Sequence, residues 1–185
     1  MYQLSKITEP FELTLHPDPF LRLVRSIVGQ QLSVKAASTI FERFENLFPK
    51  NQIKPDALLK ISEENFRNSG LSRQKISYLK DLTAKVLEGE LELNKFSQLG
   101  SEIITTELVK VKGIGQWTAE MFLMFSLGRP DIFSFGDLGL QNAIKKAYKL
   151  KTKPTLKQME KISKNWTPFR TYAAFILWRS LDNQP

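Results

Sequence analysis

Leu108 to Glu120 reads LVKVKGIGQWTAE. An apolar helical turn runs into Gly113-Ile114-Gly115 and restarts at once as a second helical pattern, with Asp137 some twenty residues further on. Two glycines around one apolar residue permit positive φ values and let another surface approach the backbone more closely than a side chain would allow. The restarting helix offers unpaired N–H groups and a positive dipole end to an anion. In a basic chain the natural anion is a nucleic-acid phosphate.

Outward from this hairpin the periodicity is helical almost throughout. Asp18-Pro19 opens a helix carrying Phe20, Leu23, Val24 and Ile27, ended by Gly29. Ser33 caps a second, which is expected to bury Ala36, Ala37, Ile40, Phe41 and Phe44. Short helices follow from Pro55 to Leu59 and from Glu63 to Asn68, then a longer one from Ser72 through Leu87, and one turn at Lys95 to Leu99. Ser101 is read as the cap of a helix to about Lys110, and Gln116 to Ser126 continues the hairpin motif, which spans about 103–126. Leu127 to Gly136 reads as an exposed loop, and helices follow at Leu138 to Tyr148, Leu156 to Lys164 and Pro168 to Leu181. No strand pattern or internal repeat interrupts them. The fold class is therefore all-α, with residues 1–185 forming one domain of two helical lobes.

Lys and Arg total 27 against 19 Asp and Glu, a net charge of +8 and a pI near 9.6, which favours polyanionic partners. With 42% hydrophobic residues, 185 residues suffice for one sizeable core or two lobes sharing a seam. Cysteine is absent, which excludes disulfides, thiolate zinc sites, iron–sulfur clusters and thiol nucleophiles, and the single His16 builds no metal cluster alone. No apolar run reaches membrane-spanning length and MYQLSKITEPFELTL lacks a leader pattern, so a cytoplasmic protein is expected.

Four stretches in this order support a family resemblance: SIVGQQLSVKAA (Ser26 to Ala37), SGLSRQKISYLKDL (Ser69 to Leu82), VKGIGQWTAEMF (Val111 to Phe122) and DIFSFGDLGLQNAI (Asp131 to Ile144). Together they make the chain resemble a DNA glycosylase of the helix-hairpin-helix (HhH-GPD) superfamily, in the alkylbase, or DNA-3-methyladenine glycosylase II, branch. Larger relatives carry an additional N-terminal mixed α/β domain, so this chain resembles a minimal form. The resemblance implies base excision repair of alkylated duplex DNA by a monomer, with no organic cofactor.

An alkylated purine is cationic and leaves easily, so the enzyme has chiefly to stabilise the developing oxocarbenium sugar and admit water, for which one carboxylate suffices. Asp137, directly before a helix where N–H groups favour an ionised carboxylate, is the candidate; Asp131, beside Pro130, competes but reads as a turn residue. Bifunctional members of the superfamily place a Schiff-base lysine where this chain has Trp117, so the resemblance implies hydrolysis without strand cleavage. It also assigns Trp117 and Trp178 to the base pocket, with Met121 and Leu138 where some relatives present tyrosine. The spacing of Trp117, Met121 and Met124 equally suits an ordinary core stripe. The resemblance makes Gln31 the wedge that fills the gap left by the flipped base, with Leu32 beside it. Gly113, Gly115 and the Thr118 hydroxyl are the expected phosphate contacts, Lys35, Arg73 and Lys75 further ones, and the carbonyls of Val109, Val111 and Ile114 the implied holders of Na+ or K+. Two alternatives stay open: a noncatalytic helix-hairpin-helix DNA-binding module, and a glycosylase for deaminated or oxidised bases.

Overall fold

Helix starts in the computed structural model, which describes residues 11–182, are set mostly by short polar side chains. Asp18 accepts from the Leu21 N–H at the start of α1 (Pro19–Gly29), and Ser33 from the Ala36 N–H at α2 (Val34–Glu45). Ser62 and Ser72 cap α4 (Glu63–Asn68) and α5 (Arg73–Leu87) in the same way, after the uncapped α3 (Pro55–Leu59). Each such cap satisfies an N–H that the helix leaves unpaired and contributes about 1 kcal/mol. A 3₁₀ stretch covers Leu93–Gln98 where one turn is expected. No strand forms among the described residues, and none of their helices is long and apolar enough to cross a membrane. The leader reading falls mostly on residues 1–10, outside the described ones.

The chain divides into two compact units. In the first, His16–Phe122, α5 packs against α1, α3 and α4. Its core holds Phe44 between Phe48 and Phe66, with ring centroids 5.1 and 5.9 Å apart. Phe41 and Phe44 are buried as expected, whereas Ala36, Ala37 and Ile40 are only half-buried. The hairpin joins α6 (Ser101–Leu108) to α7 (Gln116–Phe125). Ser101 is the first helical residue rather than the cap; Gly100 holds the cap position and the Ser101 carbonyl accepts from the Thr105 hydroxyl at 2.9 Å.

The second unit runs from Leu123 onward and includes the segment ending at Leu15. In it α8 (Leu138–Ala147) packs on α10 (Arg170–Asp182), and α9 (Leu156–Ser163), started by a Thr155/Gln158 capping box, packs with the 3₁₀ turn Lys164–Trp166. The segment Leu127 to Gly136 is not the exposed loop its glycine and proline suggest. Phe133 and Ser134 are buried, and the Thr171 hydroxyl donates to the Arg129 carbonyl at 2.6 Å while accepting the Ile132 N–H at 2.9 Å. Backbone polar groups that α10 pairs in this way need no solvent.

Candidate functional site

The hairpin in the first unit is anchored by apolar side chains and exposed by its backbone. Leu108, Val111 and Ile114 are buried, three residues apart, while Lys112, Gly113, Gly115, Gln116 and Trp117 between and after them are exposed. The Ile114 N–H closes the turn on the Val111 carbonyl at 3.0 Å. Gly113 has a φ of +80°, and a Cβ there would stand 2.0 Å from the Tyr78 ring, so two independent constraints require glycine. Gly115 differs from expectation: its φ is not positive and a Cβ would meet nothing within 4 Å. The open space in front of the α7 N-terminus, not backbone strain, is what this glycine preserves.

Helix α5 and the α1–α2 joint hold that turn in place. The Asp81 carboxylate accepts the Lys112 backbone N–H at 2.9 Å and lies 3.6 Å from the Lys112 ammonium. The Gln30 amide donates to the Gly113 carbonyl at 2.8 Å. Gln31, next in sequence, has a φ of +58° and an exposed side chain, a left-handed conformation that costs a non-glycine residue about 1 kcal/mol. Gln30, Gln31, Ser72, Tyr78 and Trp117 line one cleft of about 610 Å³, which Leu32, Gly113 and Thr118 also border. Trp117 is 50% exposed, so it is not the core member of a Trp117–Met121–Met124 stripe; Met124 is buried and Met121 half-buried. Thr118 is buried at the cleft wall. Lys75 also lines the cleft; its ammonium donates to the Val28 carbonyl at 2.8 Å, and burial lowers its pKa. Two features here were missed by sequence reasoning, the Gln30 tie and the Asp81 tie; both residues lie inside quoted motifs, but only the fold brings them to the hairpin.

In the second unit the structure pairs Asp137 with Trp178. Asp137 is 9% exposed and caps α8, with Oδ1 accepting the Leu140 N–H at 2.7 Å and the Trp178 indole N–H at 2.9 Å. Two donors converging on one carboxylate oxygen fix its orientation. The Trp178 ring stacks on Phe125 (5.8 Å, 23° between planes) and meets Phe175 edge-on, so the donor itself is rigid. Gly139 makes room for it: a Cβ there would come within 3.0 Å of the indole nitrogen and 3.1 Å of Oδ1. Leu138 beside the carboxylate is 56% exposed. Asp131 is a structural residue, gripped by the Arg170 guanidinium through Nε at 2.6 Å and Nη2 at 2.9 Å. The hydrogen bond from Arg170 lowers its pKa below the ordinary carboxylate value.

Among the described residues no group of three His, Cys, Asp or Glu side chains is placed to hold a metal ion. The carbonyls of Val109, Val111 and Ile114 are hard oxygen donors of the kind an alkali cation takes. Val111 already accepts one hydrogen bond, which leaves a carbonyl its second lone pair.

Residues 24–169 match the HhH-GPD superfamily of base excision DNA repair proteins. The candidate DNA-3-methyladenine glycosylase YfjP of Bacillus subtilis is 36% identical over 166 residues, covering 86% of this chain. The chain spans 58% of that relative's length. A DNA-3-methyladenine glycosidase of Bacillus halodurans superposes with a TM-score of 0.88 at 40% identity, covering 97% of this chain and 82% of its own. The 3-methyladenine DNA glycosylase of Schizosaccharomyces pombe, solved with abasic DNA, superposes with a TM-score of 0.84 at 32% identity, covering 96% and 89%. By its hairpin, its motif order and these likenesses, the chain belongs to the HhH-GPD superfamily of base excision DNA repair proteins.

Proposed function

We propose that this protein is a monofunctional DNA glycosylase that hydrolyses the N-glycosidic bond of alkylated purines in duplex DNA, such as 3-methyladenine and 7-methylguanine, leaving an abasic site. The observation that carries the reading is the oriented, largely buried carboxylate of Asp137, held through Oδ1 by the Leu140 and Trp178 N–H groups. A purine alkylated on its ring is a good leaving group without protonation. As the bond to the sugar lengthens, positive charge grows on the sugar, and a fixed carboxylate offsets it without having to reorganise. The same carboxylate orients the attacking water and takes its proton as the new C–O bond forms, while the cationic base departs neutral with the electron pair of the broken C–N bond.

Other residues take supporting parts. The half-exposed Trp117 ring offers an electron-rich face to a cationic purine, and as an indole it supplies no amine for a Schiff base, so the backbone stays intact. Gln31, held outward at the α1–α2 joint, fills the space left by the flipped base. The N–H groups of Gly113, Gly115 and the exposed start of α7 take a phosphate, and Val109, Val111 and Ile114 are the carbonyls that would hold Na+ or K+ there, neutralising part of its charge. The protein acts as a monomer in the cytoplasm.

The test is chromatographic detection of free bases released from dimethyl-sulfate-treated DNA. Methylpurine release is expected from the wild type and is expected to fall at least about a hundredfold in Asp137→Asn, the usual scale for losing a key electrostatic group. Asn is itself a good helix cap, so the variant should fold. No release by the folded wild type, or full activity in the variant, overturns the reading.

A further inference from the structure

Residues 145–164 carry eight lysines (145, 146, 149, 151, 153, 157, 161 and 164) and a single acidic residue, Glu160. The whole chain has 27 Lys and Arg against 19 Asp and Glu; with this segment set aside, the remainder lies within one charge of neutrality. Nearly all of the net charge therefore resides in the last turn of α8, the joint after it and α9. All eight lysines are exposed, and none forms an ion pair among the described residues. In the other unit the lysines divide: Lys85, Lys95, Lys110 and Lys112 each face a carboxylate within 4 Å, while Lys50, Lys54 and Lys60 form no ion pair among the described residues.

Local structure accounts for only part of this. Lys145 and Lys146 in the last turn of α8 and Lys161 in the last turn of α9 complement helix dipoles. Lys149, Lys151, Lys153 and Lys157 have no such role, and Lys157 and Lys161 form a like-charged i,i+4 pair, which destabilises a helix. Solubility is served by charges of mixed sign, not by a block of one sign. On α9 the buried Met159 and Ser163 face inward, so Lys157, Lys161 and, at the start of the following 3₁₀ turn, Lys164 recur at helical spacing on the exposed side, about 5 to 6 Å apart along the axis. That row matches the repeat of a polyanion backbone better than a single bound ion.

We propose that the lysine-rich surface of α8–α9 is a second, sequence-independent contact for the phosphate backbone of duplex DNA, separate from the hairpin. It rests on the functional reading above only for the identity of the polyanion. Its work is to recruit and retain undamaged duplex during the search for a lesion, because each neutralised phosphate releases condensed counterions and makes affinity steeply salt-dependent.

The experiment compares the full chain carrying Lys151→Gln, Lys153→Gln and Lys157→Gln with one carrying Lys50→Gln, Lys54→Gln and Lys60→Gln, three exposed lysines of the other unit. Affinity for an undamaged fluorescent duplex is read by anisotropy across a salt series. The first triple is expected to lower the slope of log K against log salt by about 2 to 3, at roughly 0.9 per lost contact, while the second lowers it by less than about 1. Equal slopes for both triples, or a first triple indistinguishable from wild type, overturns the proposal. So does a first triple that loses binding to vesicles rich in phosphatidylserine while keeping the DNA slope. Methylpurine release at saturating DNA is expected to persist in the first triple; its absence in the wild type would strike the functional reading and leave the salt result to judge the surface on its own.

Discussion

The hairpin of the first unit and the Asp137 cap of the second are both helix starts, yet they are built in opposite ways. In the proposed reading the hairpin works through its backbone amides, and side chains shape them: Tyr78 lies where a Gly113 Cβ would be, and Gln30 and Asp81 tie the turn from outside. At Asp137 the proposed working part is a side chain, and the backbone serves it through the Leu140 N–H while Trp178 donates from α10. A helix start that must receive an anion keeps its first turn open. A helix start that must present one fills its own cap with the carboxylate.

The contrast predicts different failures. Gly113→Val forces a branched side chain into the Tyr78 ring and a φ that valine resists, so the expected loss is about 3 kcal/mol or more of stability together with duplex affinity, read by denaturant melts and salt titration. Gly115→Ala has room and an ordinary φ, so Tm should stay within about 1 °C. Its duplex binding should nevertheless weaken, because the methyl occupies space that the proposed phosphate would enter; unchanged binding would show that the hairpin does not use that face. At the other site Trp178→Phe keeps the stacking on Phe125 and removes only the donor to Oδ1. Hydrogen bonds to a charged group are worth about 1.5 kcal/mol or more, so kcat should drop about tenfold with KM little changed. A loss confined to KM would make Trp178 a pocket wall and nothing else.

The smallest expected effect concerns the segment that leads to Asp137. Arg170 holds the Asp131 pKa below the ordinary carboxylate value, so this pair stabilises the fold at neutral pH and loses that contribution as pH falls through the lowered folded pKa. Asp131→Asn should therefore lower Tm at pH 7, by the equivalent of about 1 kcal/mol for a partly exposed pair. The difference from wild type should shrink in acid. A constant difference from pH 7 to pH 3 would mean that the charge of Asp131 contributes nothing.

Most of the helices could be read in the sequence because they are announced locally: Asp18, Ser33, Ser62 and Ser72 cap helices where their spacing to the apolar pattern indicates. Ser101 misled because Gly100 and Ser101 both suit a cap, and the choice between them depends on where α6 packs. The segment Leu127 to Gly136 misled more instructively. Its composition is that of a solvent loop, but Thr171 and Arg170, about forty residues away, supply the partners that allow its backbone to be buried.

By itself the sequence determined what short-range chemistry controls. It set the all-α class through period and caps, the turn at Gly113, the carboxylate at a helix start in Asp137, and a net positive charge whose concentration in 145–164 is plain from the order of residues. Tertiary structure alone decided which partners those groups meet: the ring over Gly113, the indole on Asp137, the carbonyl on Lys75 and the guanidinium on Asp131. The reason is physical. Caps and turns are satisfied within four residues of chain, whereas a hydrogen bond between residues dozens of positions apart forms only after the helices carrying them have packed, and no local pattern records that distance.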